Sequence, residues 1–458
     1  MIKKYFDKIL QNEVYKMLLE FKTNNFKSFL DEMDFRMMPA PKQKGLDHSI
    51  LLNKVKKKEY KGLSSAVIYG PNASGKTNII SAMDVFKSII IKGNIRNSDE
   101  SYSSNISAIK LELIPNNTNH IIKPTSFYIK FIENNMLVEY ELVIDLGLFF
   151  QKDYNRKILR EKLSVNEKSI YTRTNNIEFG EFEEIESFMI NGFKENESSA
   201  KILARNNLDE KELFLNNGFK MLFSSKFVNF ILGWLEDKFL VYYRADTMEM
   251  NRKVVDAKQG TVYIEKTIND AAKRFGINSN ALGYVVPKDG QETQLCSIFN
   301  DINIAIPAEC FESYGTVRFI NMFPIIIKAL VTGAVLVLDE FDANIHPVAL
   351  MNIINLFHND DINKKQAQLI FNTHNPIFLN PNLFRRDEIK FVERDEDTHL
   401  SVHYALSDFK TAGSNGVRKT EDYMGKYFLG RYGAIKDVDF YDLFESIIND
   451  ISGELTND

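Results

Sequence analysis

Cysteine is almost missing from this chain. Cys296 and Cys310 are the only two in 458 residues, and they form no C-x-x-C pair. That removes a disulfide framework and a cysteine-built zinc site, and it fits a reducing, cytoplasmic setting. Positive charge is not in excess either: 57 Lys and Arg stand against 62 Asp and Glu, for a formal net charge of -5. No global basic field advertises nucleic acid, so DNA binding is unsupported by charge and would need a local patch. The one compact basic run, Lys54-Val55-Lys56-Lys57-Lys58, lies between two predicted strands and reads as a solvated hairpin tip. No uninterrupted apolar run is long enough to cross a bilayer, which leaves no membrane half for a transporter. The N-terminus, with Lys3, Lys4, Asp7 and Lys8, is too charged for a signal-peptide core. A heptad period is never sustained, which argues against a long coiled-coil arm. No internal repeat or low-complexity linker is present.

What the chain does have is apolar content, 44% of residues, ample for one large α/β domain with an insertion or for two to three domains. Its most informative segment is Gly70, Pro71, Asn72, Ala73, Ser74, Gly75, Lys76 and Thr77, with Asn78 following. This fits G-x-x-x-x-G-K-[ST], a phosphate-binding loop, and it stands in the required setting. Ser65 to Tyr69 is a short buried-strand run upstream, and Ile79, Ile80, Met83 and Phe86 recur at helical spacing downstream. In such a loop glycines let successive N–H groups turn toward phosphate oxygens, and the new helix adds free N–H groups and a positive dipole end. Lys76 would bridge the β- and γ-phosphates of ATP, and the Thr77 hydroxyl would take one Mg²⁺ position.

A second signal is Ala334 to Leu338, a continuous apolar strand ending in Asp339 and Glu340. Such a strand is buried on both faces of a parallel sheet, and its carboxyl end projects into the ligand crevice. Asp339 would hold Mg²⁺ through water opposite Thr77, and Glu340 would position or deprotonate the attacking water. The next apolar strand, Gln368 to Phe371, leads to Thr373-His374-Asn375-Pro376. His374 there can hydrogen-bond a γ-phosphate or the lytic water, or simply cap the turn. Elsewhere, Leu18 to Phe21 and the following Asn25 to Phe29 read as an edge strand and turn. Residues from about 125 to 144 alternate as a hairpin, and the stretch from about 196 to 276 reads as helical.

The order of an Asn-Phe-x-Ser-Phe segment (Asn25 to Phe29), the phosphate loop, Glu312-Ser313-Tyr314-Gly315-Thr316, the acid-ended strand, Phe341 to Pro347 and Thr373-His374 resembles the ABC-class ATPases of the AAA15/AAA21 group. These are relatives of RecF, of the SMC-like repair ATPases and of the OLD proteins. The likeness extends to stand-alone members such as RloA and the AriA ATPase of bacterial anti-phage systems. It covers both ends of the chain and leaves the central third unassigned. The resemblance implies that Ser313, Gly315 and Thr316 form a signature turn that reaches the γ-phosphate held by a second protomer, making ATP the glue of a homo-oligomer. It also implies that Asp342 and Asn344 belong to an inter-subunit loop, and that a separately encoded effector, a nuclease or toxin, is the partner. The family's Mg²⁺-touching Gln has no counterpart that can be assigned.

These readings predict an α/β, ABC-type P-loop fold with a mixed sheet, an antiparallel β lobe and a helical insertion. Residues 1–16 would be an appendage, 17–154 an N-lobe with the phosphate loop and antiparallel lobe, 155–309 the helical insertion or lid, and 310–458 a C-lobe with signature, acid strand and His374. The expected activity is Mg²⁺-dependent ATP hydrolysis controlling an effector in anti-phage defence. Two rivals differ in class. One is a RecF-like DNA-repair ATPase, marked by DNA-stimulated, salt-sensitive behaviour. The other is an OLD-like nuclease built on Asp437 and Asp439.

Overall fold

Two large β-sheets share one apolar core with the helix that follows the phosphate loop. The computed structural model of the chain describes residues 16–41, 43, 45–96, 113–117, 122–148, 154–243, 262–264, 266–274, 281–285, 294–299, 301–302, 304–342, 345–411, 416–418, 421–436 and 440–455. Strands β1 (Lys16–Asn24) and β2 (Met33–Arg36) are followed by the hairpin β3 (Ile50–Val55) and β4 (Lys58–Leu63), then by β5 (Ser65–Tyr69) and helix α1 (Lys76–Lys92). Strands β6 (Thr125–Glu133), β7 (Met136–Asp145), β8 (Lys157–Val165), β9 (Lys168–Arg173) and β10 (Ile177–Phe179) join β1 and β2 in a seven-stranded antiparallel sheet of order β10-β9-β8-β7-β6-β1-β2.

Helices α2 (Phe193–Asn206) and α3 (Ser225–Asp237) lead to β11 (Phe239–Tyr242). Next come β12 (Val262–Ile264), α4 (Lys266–Arg274), β13 (Ala281–Val285), β14 (Gln294–Phe299) and β15 (Ile304–Pro307), whose strands form a small antiparallel sheet. The chain then runs through α5 (Tyr314–Thr332), β16 (Val335–Leu338), α6 (Pro347–His358), β17 (Gln368–Asn372), β18 (Ile389–Arg394), β19 (Ser401–Ala405), α7 (Tyr423–Phe428) and α8 (Tyr441–Leu455). The second large sheet has order β11-β16-β17-β5-β18-β19 and is parallel except at β18–β19. Its central strands β5, β16 and β17 are buried along their whole length, as strands covered on both faces must be.

One face of that sheet packs on α1 and α3, the other on α5 and α6. On the first side Phe86 of α1 meets Phe21, Phe127 and Tyr140 of the antiparallel sheet with ring centroids 5.8, 6.0 and 6.2 Å away. The helix is thereby fixed between the two sheets. At its carboxyl end Gly93 adopts φ 72° and returns its N–H to the Ile89 carbonyl, a left-handed cap that glycine adopts without steric cost. Among the described residues α5 has the length and apolarity to cross a membrane, yet half of its apolar window is buried in the protein core.

The α/β architecture, mixed sheet and antiparallel lobe agree with the sequence reading, but two details differ. Segment 155–309 is not a helical insertion throughout. Its first strands, β8 to β10, extend the antiparallel sheet, β11 joins the central sheet, and β12 to β15 form a sheet of their own. A bulge between Leu163 and Ser164 breaks the two-residue alternation there and hides the strand signal. Likewise β1 is not an edge strand: β2 lies outside it, and Met17, Leu18, Leu19 and Phe21 are all fully buried. Residues 1–15 of the expected appendage lie outside the described residues, as do Asn344, Asp437 and Asp439. The Lys54–Lys58 run is the β3–β4 hairpin tip, with Lys56 at φ 55°.

Candidate functional site

The phosphate loop leaves the carboxyl end of β5 and opens α1 at Gly75, whose φ of 111° suits glycine. No side chain caps this helix start, and with the Asn78 N–H turned to the Gly75 carbonyl the N–H groups of Lys76 and Thr77 are the ones placed for an anion. The loop is braced from distant parts of the chain. Ser401 Oγ donates to the Ser74 carbonyl at 2.6 Å, and Asn78 Nδ2 donates to Ser28 Oγ at 2.8 Å. A Cβ on Gly75 would lie 2.7 Å from Ser401 Oγ and 2.8 Å from Ser28 Oγ, so the fit around the loop is close. Asn78, expected to touch nucleotide, donates its side-chain amide to Ser28, while Asn72 and Ala73 are exposed.

Lys76 is 5% exposed, and its ammonium donates to the carbonyls of Gly70 at 2.7 Å and Pro71 at 2.9 Å. Burial lowers its pKa to about 8, against the opposing pull of Asp339, Glu340 and Asp342. Three carboxyl groups therefore share the Lys76 side of the cleft. The Thr77 hydroxyl donates to Asp339 Oδ1 at 3.1 Å, which brings the loop and the acid strand together as the sequence predicted. These are hard oxygen donors from two elements, a set suited to Mg²⁺, which keeps most of its shell for water and phosphate and needs few protein ligands.

β16 pairs with β17 so that Leu338 faces Phe371, and Asp339 and Asn372 follow side by side. Asn372 Nδ2 donates to Asp339 Oδ1 at 2.5 Å, and the Glu340 N–H donates to Asn372 Oδ1 at 2.5 Å. On the other side of the same residue the Arg318 guanidinium of α5 donates to the Glu340 carbonyl. Glu340 is exposed and has φ 50°. A non-glycine residue in that region costs about 1–3 kcal/mol and persists where its surroundings over-determine it, as Asn372 and Arg318 do here.

Beyond β17, Thr373 Oγ1 donates to Asp342 Oδ2 at 2.7 Å and accepts the Asn375 N–H at 2.9 Å. His374 projects from this turn. Desolvation and the Lys76 ammonium push its imidazole below its ordinary pKa, while Asp342, Glu340 and Asp339 pull the other way. At neutral pH it is a neutral ring beside the phosphate loop.

The predicted signature turn is placed differently. Ser313 caps α5, accepting the Thr316 N–H at 3.2 Å and pairing with Thr316 Oγ1 at 2.9 Å. α5 runs antiparallel to β16, so its N-terminus lies at the same end of the sheet as the phosphate loop. From Arg318 at Glu340, five residues of helix carry the chain about 7.5 Å further out to Ser313. Ser313 and Tyr314 are exposed, Tyr314 by 62%. The structure therefore brings Lys76, Thr77, Asp339, Glu340, Asp342 and His374 together, while the side chains of Ser313 and Thr316 bond to each other.

Sequence reasoning missed Asn372, Arg318 and Ser401, and named Ser28 only as part of the Asn25 to Phe29 segment, without its contact to Asn78. Of the three missed residues only Asn372 left a signal, a polar residue closing a buried strand. Among the described residues no cluster of His, Cys, Asp and Glu forms a protein-only metal cage, and both cysteines are free.

The family model described as "AAA domain, putative AbiEii toxin, Type IV TA system" matches residues 65–380, from the start of β5 to the turn that carries His374. Among solved structures, the SMC head domain from Thermotoga maritima aligns at TM-score 0.34 and 13% identity, over 85% of this chain and 98% of that one. An SMC head bound to the C-winged helix domain of ScpA aligns at TM-score 0.31 and 13% identity, over 85% and 99%. No curated protein matches.

Proposed function

The chain belongs to the AAA_21 family of AAA domains, and we propose that it is a Mg²⁺-dependent ATPase whose nucleotide bridges two copies of the chain and sets the state of a partner effector. One observation carries the bridging reading: Ser313 is exposed at the N-terminus of α5, the helix whose Arg318 reaches Glu340, and its hydroxyl bonds to Thr316. The positive end of a helix favours an anion even where a serine caps one N–H, as Ser313 caps that of Thr316, and the γ-phosphate of a neighbouring copy supplies one. In this reading the loop from Gly70 to Thr77 holds the phosphates, and Lys76 neutralises them. Thr77 and Asp339 would hold Mg²⁺, which when bound offsets the charge on the phosphate oxygens. Glu340 takes a proton from the attacking water. Neutral His374 hydrogen-bonds that water or the γ-phosphate, and Asp342 faces the joint between copies. The family description names a toxin system, and the effector in this reading is a toxin or nuclease acting in defence, as the resemblance to the RloA and AriA ATPases implies.

A mixing experiment tests the composite site. Ser313→Arg blocks one half and Lys76→Ala the other, so each variant alone is expected to show less than about a tenth of wild-type hydrolysis. An equal mixture should recover clearly more than either, because heterodimers hold one intact site. A mixture no more active than its parts would refute bridging.

ATP affinity should also depend on pH in a defined sense. Lys76 in the free protein titrates at about 8, and bound phosphate stabilises its charged form. Below about pH 8 affinity is flat; above it, each further pH unit weakens binding up to about tenfold, with proton uptake on binding. Calorimetry in buffers of different ionisation enthalpy measures both, and a flat profile to pH 9.5 would exclude the assignment.

A further inference from the structure

We infer that Asn372 is a positioning residue for hydrolysis, locking the Asp339 carboxylate and the Glu340 peptide into one fixed relation; this rests on the ATPase reading above. Its side chain is 1% exposed and both ends of its amide are engaged. A carboxylate accepts and a backbone N–H donates, so a single orientation of the amide satisfies both partners. Parallel pairing of β16 with β17 puts the amide directly beside the two acids.

Other residue types fail for separate reasons. Serine or threonine is too short to reach both groups, glutamine is one methylene too long for the same register, and ionised aspartate has no proton to donate and adds a like charge against Asp339. Glu340 depends on this support because its φ of 50° lies in the left-handed region. Without the acceptor on its N–H, the peptide is free to relax toward ordinary φ, and the carboxylate that it carries turns away from the nucleotide. Asn372 also shares Asp339 Oδ1 with the Thr77 hydroxyl. One amide thus sets the orientation of the acid nearest the metal-binding hydroxyl and of the acid that takes the proton.

Asn372→Ala and the isosteric Asn372→Asp, compared with wild type, test this. For Asn372→Ala we expect kcat to fall about 10–100-fold, the scale of lost outer-shell support, with KM changed less than about threefold. Asn372→Asp should be similarly slow at pH 8 and recover activity toward about pH 6, because a protonated carboxyl can again donate to Asp339. Wild type should show no such gain. A kcat within threefold of wild type for the alanine variant, or parallel pH profiles for wild type and Asn372→Asp, would overturn the inference.

Unfolding midpoints of both variants separate a folding defect from a misaligned site. If the wild-type chain binds ATP but does not hydrolyse it, the ATPase reading fails separately. The amide is then judged on the Mg²⁺ concentration for half-maximal ATP-induced thermal stabilisation. That concentration should rise about tenfold in Asn372→Ala, and an unchanged value would refute the role.

Discussion

Glu340→Gln is expected to bind ATP about as well as wild type, to hydrolyse it at least 100-fold more slowly, about the lower range for loss of a general base, and to accumulate as an ATP-dependent oligomer. Glutamine keeps the size of the side chain and leaves the backbone contacts of Asn372 and Arg318 to residue 340 in place. What it loses is the basic oxygen proposed to accept the water's proton. In the bridging proposal hydrolysis is the step that would release the copies, so blocking it should trap them. Lys76→Ala is the matched control: it should lose ATP-induced stabilisation and remain unassembled at any ATP concentration. Single-turnover hydrolysis gives the rate, and light scattering on a sizing column with and without ATP and Mg²⁺ gives the assembly state. Unchanged hydrolysis in Glu340→Gln would remove Glu340 from the reaction. An unassembled, ATP-loaded Glu340→Gln would leave the ATPase standing and remove the bridge.

The site was legible in proportion to how local its parts are. The loop from Gly70 to Thr77 is eight consecutive residues between a strand and a helix, and Asp339 and Glu340 end a run of apolar residues, so both could be read directly. Asn372 could not, because its function comes from the pairing of β16 with β17, which connects positions 32 and 33 residues apart. Ser401 braces the loop from 327 residues away, and no local pattern encodes that. In the central segment the failure was one of period. Bulges in β7–β8 and β8–β9 interrupt strand alternation, and β12 and β15 are too short to show it. Ser313 was found from its neighbours in sequence, but the contact of its helix with Glu340 through Arg318 joins parts of the chain that no local pattern connects.

The largest stability loss is expected at a residue far from the cleft that the sequence did not mark. Glu161 of β8 is fully buried and accepts five hydrogen bonds: from Tyr140 at 2.8 Å, Tyr171 at 2.7 Å, the N–H groups of Phe214 and Leu215 at 2.8 Å each, and Arg173 at 3.4 Å. Arg173 is itself buried and donates onward to the carbonyls of Glu212 and Asp209. Burial, and then the nearby carboxylate, hold both tyrosines well above their ordinary pKa. The cluster ties residues 209–215 to the antiparallel sheet, and the same stretch reaches α1 through Leu213 N–H on the Gly93 carbonyl at 2.8 Å and Asn216 on the Ile90 carbonyl at 2.9 Å. Glu161→Ala leaves a buried guanidinium without its counter-charge and several donors without an acceptor. A loss of about 3–5 kcal/mol follows, a large part of the stability of an ordinary domain. Urea unfolding measures it, and a loss below about 1 kcal/mol would contradict the assignment. Pairing the change as Glu161→Leu with Arg173→Met should recover only the part due to the unpaired guanidinium, because the Tyr140 and Tyr171 hydroxyls and the Phe214 and Leu215 N–H groups still lack an acceptor. Since the stretch is anchored to the far end of α1, Glu161→Ala should also weaken ATP binding.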